Sequence, residues 1–321
     1  MPATIIGDVP AEIIPGQGST YDLPSGASWY VSNRAGVIAG DGKTRLRPLP
    51  SIADALAAAS AYDTIYVLGG HTENVTASNT FSGSAVNTGA MTIPVGVRII
   101  GEGQLSRRPT LTFTAVASTI ALASAGSSIE NIMLFCPQTG STTTTALVTI
   151  SASSCSVRSS FFFMASSATA LSATGVSLGA SATYAQITDC VGFTVTGTPT
   201  SWISTSATTA PGRVHIRRNI MRMLLSSATG GVIDFSSASG IAPAEWVISD
   251  NMLSNLTAAS TVVIKGVASA AGHIVNNYLE TVGGTAAATA ITTPGNMVMF
   301  GNQVAQAGKT SIATTTGGAS T

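Results

Sequence analysis

Apolar positions in this chain return at a long, nearly regular interval. A tetrapeptide recurs, built of an aliphatic residue, any residue, a polar residue and then a small or amide residue. It reads IENI, VRSS, ITDC, IRRN, ISDN, IVNN and MFGN, opening at Ile129, Val157, Ile187, Ile216, Ile248, Ile274 and Met299. By subtraction of those positions the copies stand 28, 30, 29, 32, 26 and 25 residues apart. Periods of this length mark stacked-repeat architectures. A second apolar run falls between copies: TIALA around Leu122, ALVTI around Val148, GVSL around Val176, SWIS around Ile203, GVIDF around Ile233 and TVVI around Val263. These runs are short, rich in Val, Ile and Thr, and bounded by Gly, Ser, Thr or Pro, which is a strand signature. Two or three such strands per unit, with no segment of helix length, predict one rung of a single-stranded right-handed parallel β-helix. A β-sandwich would space its strands without a tetrapeptide at fixed phase.

The last four copies place Asn219, Asn251, Asn277 and Asn302 at the fourth position. Equivalent residues of a coil stack at about 4.8 Å, the spacing of neighbouring strands. An amide carries both donor and acceptor, so a column of Asn can bond to itself along the stack. Asn also tolerates the left-handed backbone that a tight turn needs. These four residues are predicted to form a structural ladder.

Ahead of the repeats the chain divides further. Residues 1–28 carry Pro2, Pro10, Pro15 and Pro24 with scattered Gly and read as an extended arm. Ile5, Ile6, Ile13 and Ile14 have no local core there and are predicted to anchor the arm on another subunit. Residues 29–62 hold a strand (WYVS), a turn at Gly40-Asp41-Gly42 and a short helix. Ser51 can cap that helix, with Ile52, Ala55, Leu56 and Ala59 on one face. Residues 63–304 are the coil. Residues 305–321, AQAGKTSIATTTGGAST, are a tail or end cover. The predicted fold is therefore all-β: a parallel β-helical solenoid with a short N-terminal capping helix and extended terminal arms.

The order strand, GDG, Pro, short helix, DTIYV and GGHTE, followed by VRIIGEG at Val97–Gly103, resembles the start of the pectate-lyase-like β-helices. That fold family includes carbohydrate-active enzymes and phage virion proteins. The resemblance implies that the short helix plugs the first rung, whose strand edges and apolar bore would otherwise be open. It does not fix function, because the family holds enzymes and non-enzymes alike.

Composition narrows the choice. Only 9% of residues are charged, and 14 basic side chains balance 14 acidic ones. Such a surface offers no general attraction for nucleic acid or an anionic membrane, and poor protection against association. Cys136, Cys155 and Cys190 are odd in number and lack metal-ligand spacing, so neither a disulfide framework nor a metal is expected. Cys190 occupies the amide column, where a buried thiol fits. The N-terminal residues show no secretory signal, and the longest charge-free run, Ser159–Thr188, is too broken by Ser, Thr and Gly to span a bilayer.

One constellation has enzymatic potential. The third position of the repeat places Asp189, Arg218 and Asp250 on consecutive rungs, with the two carboxylates about 9.6 Å apart by two strand spacings. An Arg between carboxylates lowers their pKa values and opposes a general-acid role, so the trio is expected to be a surface ion-pair ladder. Polygalacturonase motifs (NTD, DD, GHG, RIK) and pectate lyase motifs (WIDH, RxPxxR) are absent, as is the Asp pair of pectin methylesterases. His71 and Glu73 stand at the family's GxYxE rung with the Tyr replaced. No cofactor fingerprint appears.

The expectation is a non-enzymatic structural protein of a bacteriophage virion, assembled in the host cytoplasm: a capsid decoration, cement or head-fibre subunit held by its arms. Its partners would be other virion proteins (capsid or tail subunits) and further copies of itself, a trimer being one arrangement. The alternative is a tailspike-like β-helix that binds or degrades polysaccharide as a lyase or glycoside hydrolase. An ice-binding solenoid is suggested by TLTFT and FTVTGT but would need its Thr array in phase on every rung.

Overall fold

The structure, a computed structural model, describes residues 26–115, 117–137, 146–164, 174–194, 199–205, 211–225, 230–236, 244–258, 262–282, 290–292, 295–306 and 312–317. The fold is a parallel β-solenoid with three faces.

The first face stacks Ser28–Val31, Thr64–Val67, Arg98–Gly101, Ser128–Glu130, Ser156–Arg158, Gln186–Thr188, His215–Arg217, Trp246–Ser249, Ala271–Val275 and the start of Asn296–Gln306. Its register joins Ile129, Val157, Ile187, Ile216, Ile248, Ile274 and Met299 in one line. This is the phase predicted from the tetrapeptide. The line continues toward the N-terminus through Ile99, Ile65 and Trp29. The apolar runs between tetrapeptides form the third face, from Ile120–Leu122 through Val148–Ile150, Thr174–Leu178, Ser201–Thr205, Ile233–Asp234 and Ile264–Lys265 to Ile291–Thr292.

The second face follows each tetrapeptide directly, as in Met133–Cys136, Phe161–Met164, Val191–Thr194, Ile220–Met223, Met252–Asn255 and Tyr278–Thr281. Inward residues alternate with outward ones, as a half-buried strand requires. Phe162 and Met164 are buried in one such strand, and Leu134 and Cys136 in the strand paired with it. All three faces contribute to one core, whose largest fully buried members include Trp202, Trp246, Phe113, Phe162 and Phe235.

From the rung of Ser128–Glu130 on, the first and second faces meet at a corner of two residues. The left-handed backbone sits one residue earlier than the amide ladder. Asn131, Ser159, Asp189, Arg218, Asp250 and Asn276 have φ between 47° and 59°, and Gly301 has φ 67°. None of Asn219, Asn251, Asn277 and Asn302 has positive φ. The turn is thus made by the third residue of the tetrapeptide, which frees the fourth to point into the coil.

Both ends are covered. The helix Ile52–Ala58 buries Ile52, Ala53, Ala55 and Leu56, and packs against Ser28–Val31 and Thr64–Val67. Ser51 is its N-cap, accepting from the Asp54 backbone N–H at 3.0 Å. Ala59, expected on the same face, is the C-cap and packs partly buried against the core. At the far end Ile312–Gly317, within the region expected to be a tail or end cover, pairs antiparallel with Asn296–Gln306.

Candidate functional site

The corner between the first and second faces carries most of the residues singled out by sequence. On its inner side Asn219, Asn251, Asn277 and Asn302 are buried and linked. Each Nδ2 donates to the next Oδ1: Asn219 to Asn251 at 2.8 Å, Asn251 to Asn277 at 2.9 Å, Asn277 to Asn302 at 2.9 Å. Each Nδ2 also donates backward to a carbonyl, from Ile187 O at 3.0 Å for Asn219 to Ile274 O at 2.7 Å for Asn302. The backbone N–H groups of Asn219, Asn251 and Asn277 donate to the Oδ1 one rung on. Every amide atom facing the column therefore has a partner, as burial demands.

The same column reaches further than its asparagines. Ile132 N–H donates to Ser160 Oγ at 3.4 Å, and Cys190 N–H donates to Asn219 Oδ1 at 2.9 Å. Between them the Ser160 backbone N–H lowers the Cys190 pKa, by less than burial raises it. Burial pushes the Cys190 thiol up to about 12, so at neutral pH it stays protonated and its S–H can donate to Thr188 O. Cys136 and Cys155 are likewise buried and free.

On the outer side of the corner stand Asp189, Arg218 and Asp250. Arg218 grips Asp189 with two parallel bonds, Nε to Oδ1 at 2.7 Å and an Nη to Oδ2 at 2.8 Å. The Arg218 guanidinium holds the Asp189 carboxyl below its usual range, outweighing partial burial. Asp250 takes a bond from Ser249 Oγ at 2.9 Å instead. The trio is thus one bidentate pair plus a neighbouring carboxylate, arranged along the rungs. Among the described residues no group of three His, Cys, Asp or Glu could hold a metal. Ile5, Ile6, Ile13 and Ile14 lie outside the described residues.

His71 and Glu73 are a buried pair inside the N-terminal cap, with His71 Nε2 to Glu73 Oε2 at 2.9 Å. The Asn33 N–H donates to His71 Nδ1, so Nε2 carries the proton and donates to Glu73. Glu73 Oε2 also accepts from the Ile52 N–H, the first of the capping helix. Their role in the cap is to tie helix to rung.

Sequence reasoning missed the most open part of the molecule. Two cavities lie outside the first face and meet at His215. One, of about 580 Å³, is lined by Arg158, Gln186, Thr188, Asp189, His215, Arg217 and Arg218. The other, of about 600 Å³, is lined by Tyr184, Arg213, His215, Glu245, Val247 and His273 together with Ala271, Gly272, Asn296 and Val298. Burial, and then the Arg217 charge, lower the His215 pKa, which keeps its ring neutral at pH 7. Tyr184, Arg213 and Glu245 form a second left-handed column at the opposite edge of the face, with φ 60°, 57° and 56°. Arg213 bonds both the Tyr184 hydroxyl and the Glu245 carboxylate, and its guanidinium lies 5.2 Å from the Tyr184 ring centre. A signal for this column existed: each member stands three residues before Ile187, Ile216 and Ile248.

Searches against protein-family models, curated proteins and solved structures return no match to this chain.

Proposed function

We propose that the chain is a rigid structural subunit of a bacteriophage virion, a capsid decoration, cement or head-fibre protein. One observation carries this reading. A single file of side-chain hydrogen bonds runs along the inner corner from Cys190 to Asn302, beside one continuous core. Such a rod resists bending and suits a spacer, and its low charge suits broad contact with neighbouring subunits. The pectate-lyase-like start of the chain, capped by Ile52–Ala58, adds support, since that fold family includes virion proteins. The pairing of Asp189 with Arg218 also supports a non-enzymatic role, because a carboxylate held ionised cannot act as a general acid. In this reading residues 1–28 attach the rod, and copies of the chain associate, a trimer being one arrangement.

Deleting residues 1–24 tests the attachment. The truncated protein should stay soluble with unchanged β circular dichroism and should fail to enter particles. Normal occupancy of the truncated protein would sink the anchor. Loss of folding would assign the arm to the cap. The second reading, a tailspike-like polysaccharide binder or hydrolase, is favoured by the open trough on the first face. It predicts release of reducing ends or unsaturated products from a polysaccharide, lost in Asp189→Asn or Asp250→Asn.

A further inference from the structure

The even charge of the whole chain hides a local imbalance. Glu130, Arg158, Thr188, Arg217 and Ser249 stack in one outward column of the first face. The carboxylate of that column, Glu130, is taken by Arg98 at 3.3 Å. Arg158 bonds Gln186 Oε1 at 2.7 Å and Arg217 bonds Ser249 Oγ at 3.1 Å, both neutral acceptors. Among the described residues neither guanidinium forms an ion pair with a carboxylate. Nearby Asp189 is paired with Arg218 by two bonds and also feels the Arg158 charge.

Two guanidiniums therefore flank a small residue, two strand spacings or about 9.6 Å apart at the backbone, and both line the same cavity. Arg side chains are long enough to lean over Thr188 and close on one ligand from both sides. Their planar forks match the oxygens of a tetrahedral oxyanion, with several donors still unused. We propose that this cavity is a binding site for a phosphate or sulfate group, held between Arg158 and Arg217 with the His215 ring at its edge.

The adjoining cavity says what the group is attached to. It begins at His215 and is walled by Tyr184, Val247 and His273, with Gly272 leaving backbone exposed. That chemistry accepts the flat face of a ring. The left-handed column at its rim runs through Tyr62, Gly96, Gly126 and Ser154 to Tyr184, Arg213 and Glu245, and its last three members wall or rim this cavity. The ligand class is a cyclic or aryl ester of phosphate or sulfate. A run of phosphates, as in nucleic acid, fits less well, because the next cations along the trough, Arg213 and Arg218, are already held by Glu245 and Asp189. This inference is independent of the virion role.

Calorimetric titration of the full chain at constant ionic strength tests it with two probes, inorganic phosphate and phenyl phosphate. Both should bind saturably, phenyl phosphate more tightly. Arg158→Gln with Arg217→Gln should weaken both by about tenfold or more. Tyr184→Ala should abolish only the advantage of phenyl phosphate. Arg222→Gln, the loss of one cation on the second face, should change neither. If the double variant misfolds by circular dichroism, Arg217→Lys serves instead and should still weaken phosphate, since it loses the fork. Absence of saturable binding, or equal weakening by Arg222→Gln, overturns the site. Tighter binding of a single-stranded oligonucleotide than of phenyl phosphate overturns the ligand class.

Discussion

The inner corner column has two halves built from different chemistry. From Asn219 to Asn302 each rung contributes an amide that binds forward, backward and to the backbone. From Ile132 to Cys190 the rungs contribute an aliphatic residue, a hydroxyl and a thiol. Yet the backbone requirement is met in both. In each half an N–H at the corner must find an acceptor in the next rung, because the corner leaves it outside the strand ladders and buried. Ser160 Oγ meets that need for Ile132, and Asn219 Oδ1 meets it for Cys190. The comparison separates two functions of the column. Any acceptor of the right reach completes the turn, and only the amide adds rung-to-rung cohesion through its own N–H₂.

The largest expected effect breaks the amide half. Asn251→Leu removes four bonds and strands the Asn219 N–H in the interior. It should destabilise the fold by about 3 kcal/mol in urea unfolding. A variant that melts within a degree of wild type would show that the column is ornament. A smaller effect tests the other half. Cys190→Ala empties a fully buried site and gives up the thiol's contacts with Val157 O and Thr188 O, and should cost about 1–2 kcal/mol, whereas Cys190→Asn, which can join the ladder, should cost less than Cys190→Ala. If Asn is the worse of the two, the halves are not interchangeable. The smallest effect lies just outside. Arg218→Asn gives up an exposed ion pair with Asp189, worth about 0.5 kcal/mol. It also places in the left-handed turn a residue that tolerates it. Its stability should stay within about 0.5 kcal/mol of wild type, and a larger loss would mean the outer column carries load as well.

The register of the first face was legible because one aliphatic column, from Ile129 to Met299, must stay buried on every rung. The third face was legible from Val- and Ile-rich runs with small residues around them. The second face was not separated from the first, since a two-residue corner leaves no Gly or Pro to mark it. In IENIMLFC one strand ends at Glu130 and the next begins at Met133 with no break in apolarity. The Asn ladder was visible as identical residues at fixed phase. Cys190 was legible as a buried thiol in the same column, and Ser160 was hidden because a hydroxyl there shares no residue type with the amides. The trough escaped for a related reason. Tyr184, Arg213 and Glu245 share a backbone conformation but no side-chain chemistry, and Arg158 and Arg217 meet only through a two-rung stack.

The direction of the corner bonds has a consequence for how the chain is completed during synthesis. The corner N–H groups of Ile132, Cys190, Asn219, Asn251 and Asn277 are each satisfied by the rung that follows. A nascent coil therefore always exposes one unfilled donor at its growing end, and adding a rung fills that donor while creating the next. The file behaves as a one-way ratchet from the first rung to the last. Losing a rung at the C-terminal end reopens a buried donor, while losing one at the N-terminal end of the file leaves every remaining donor filled.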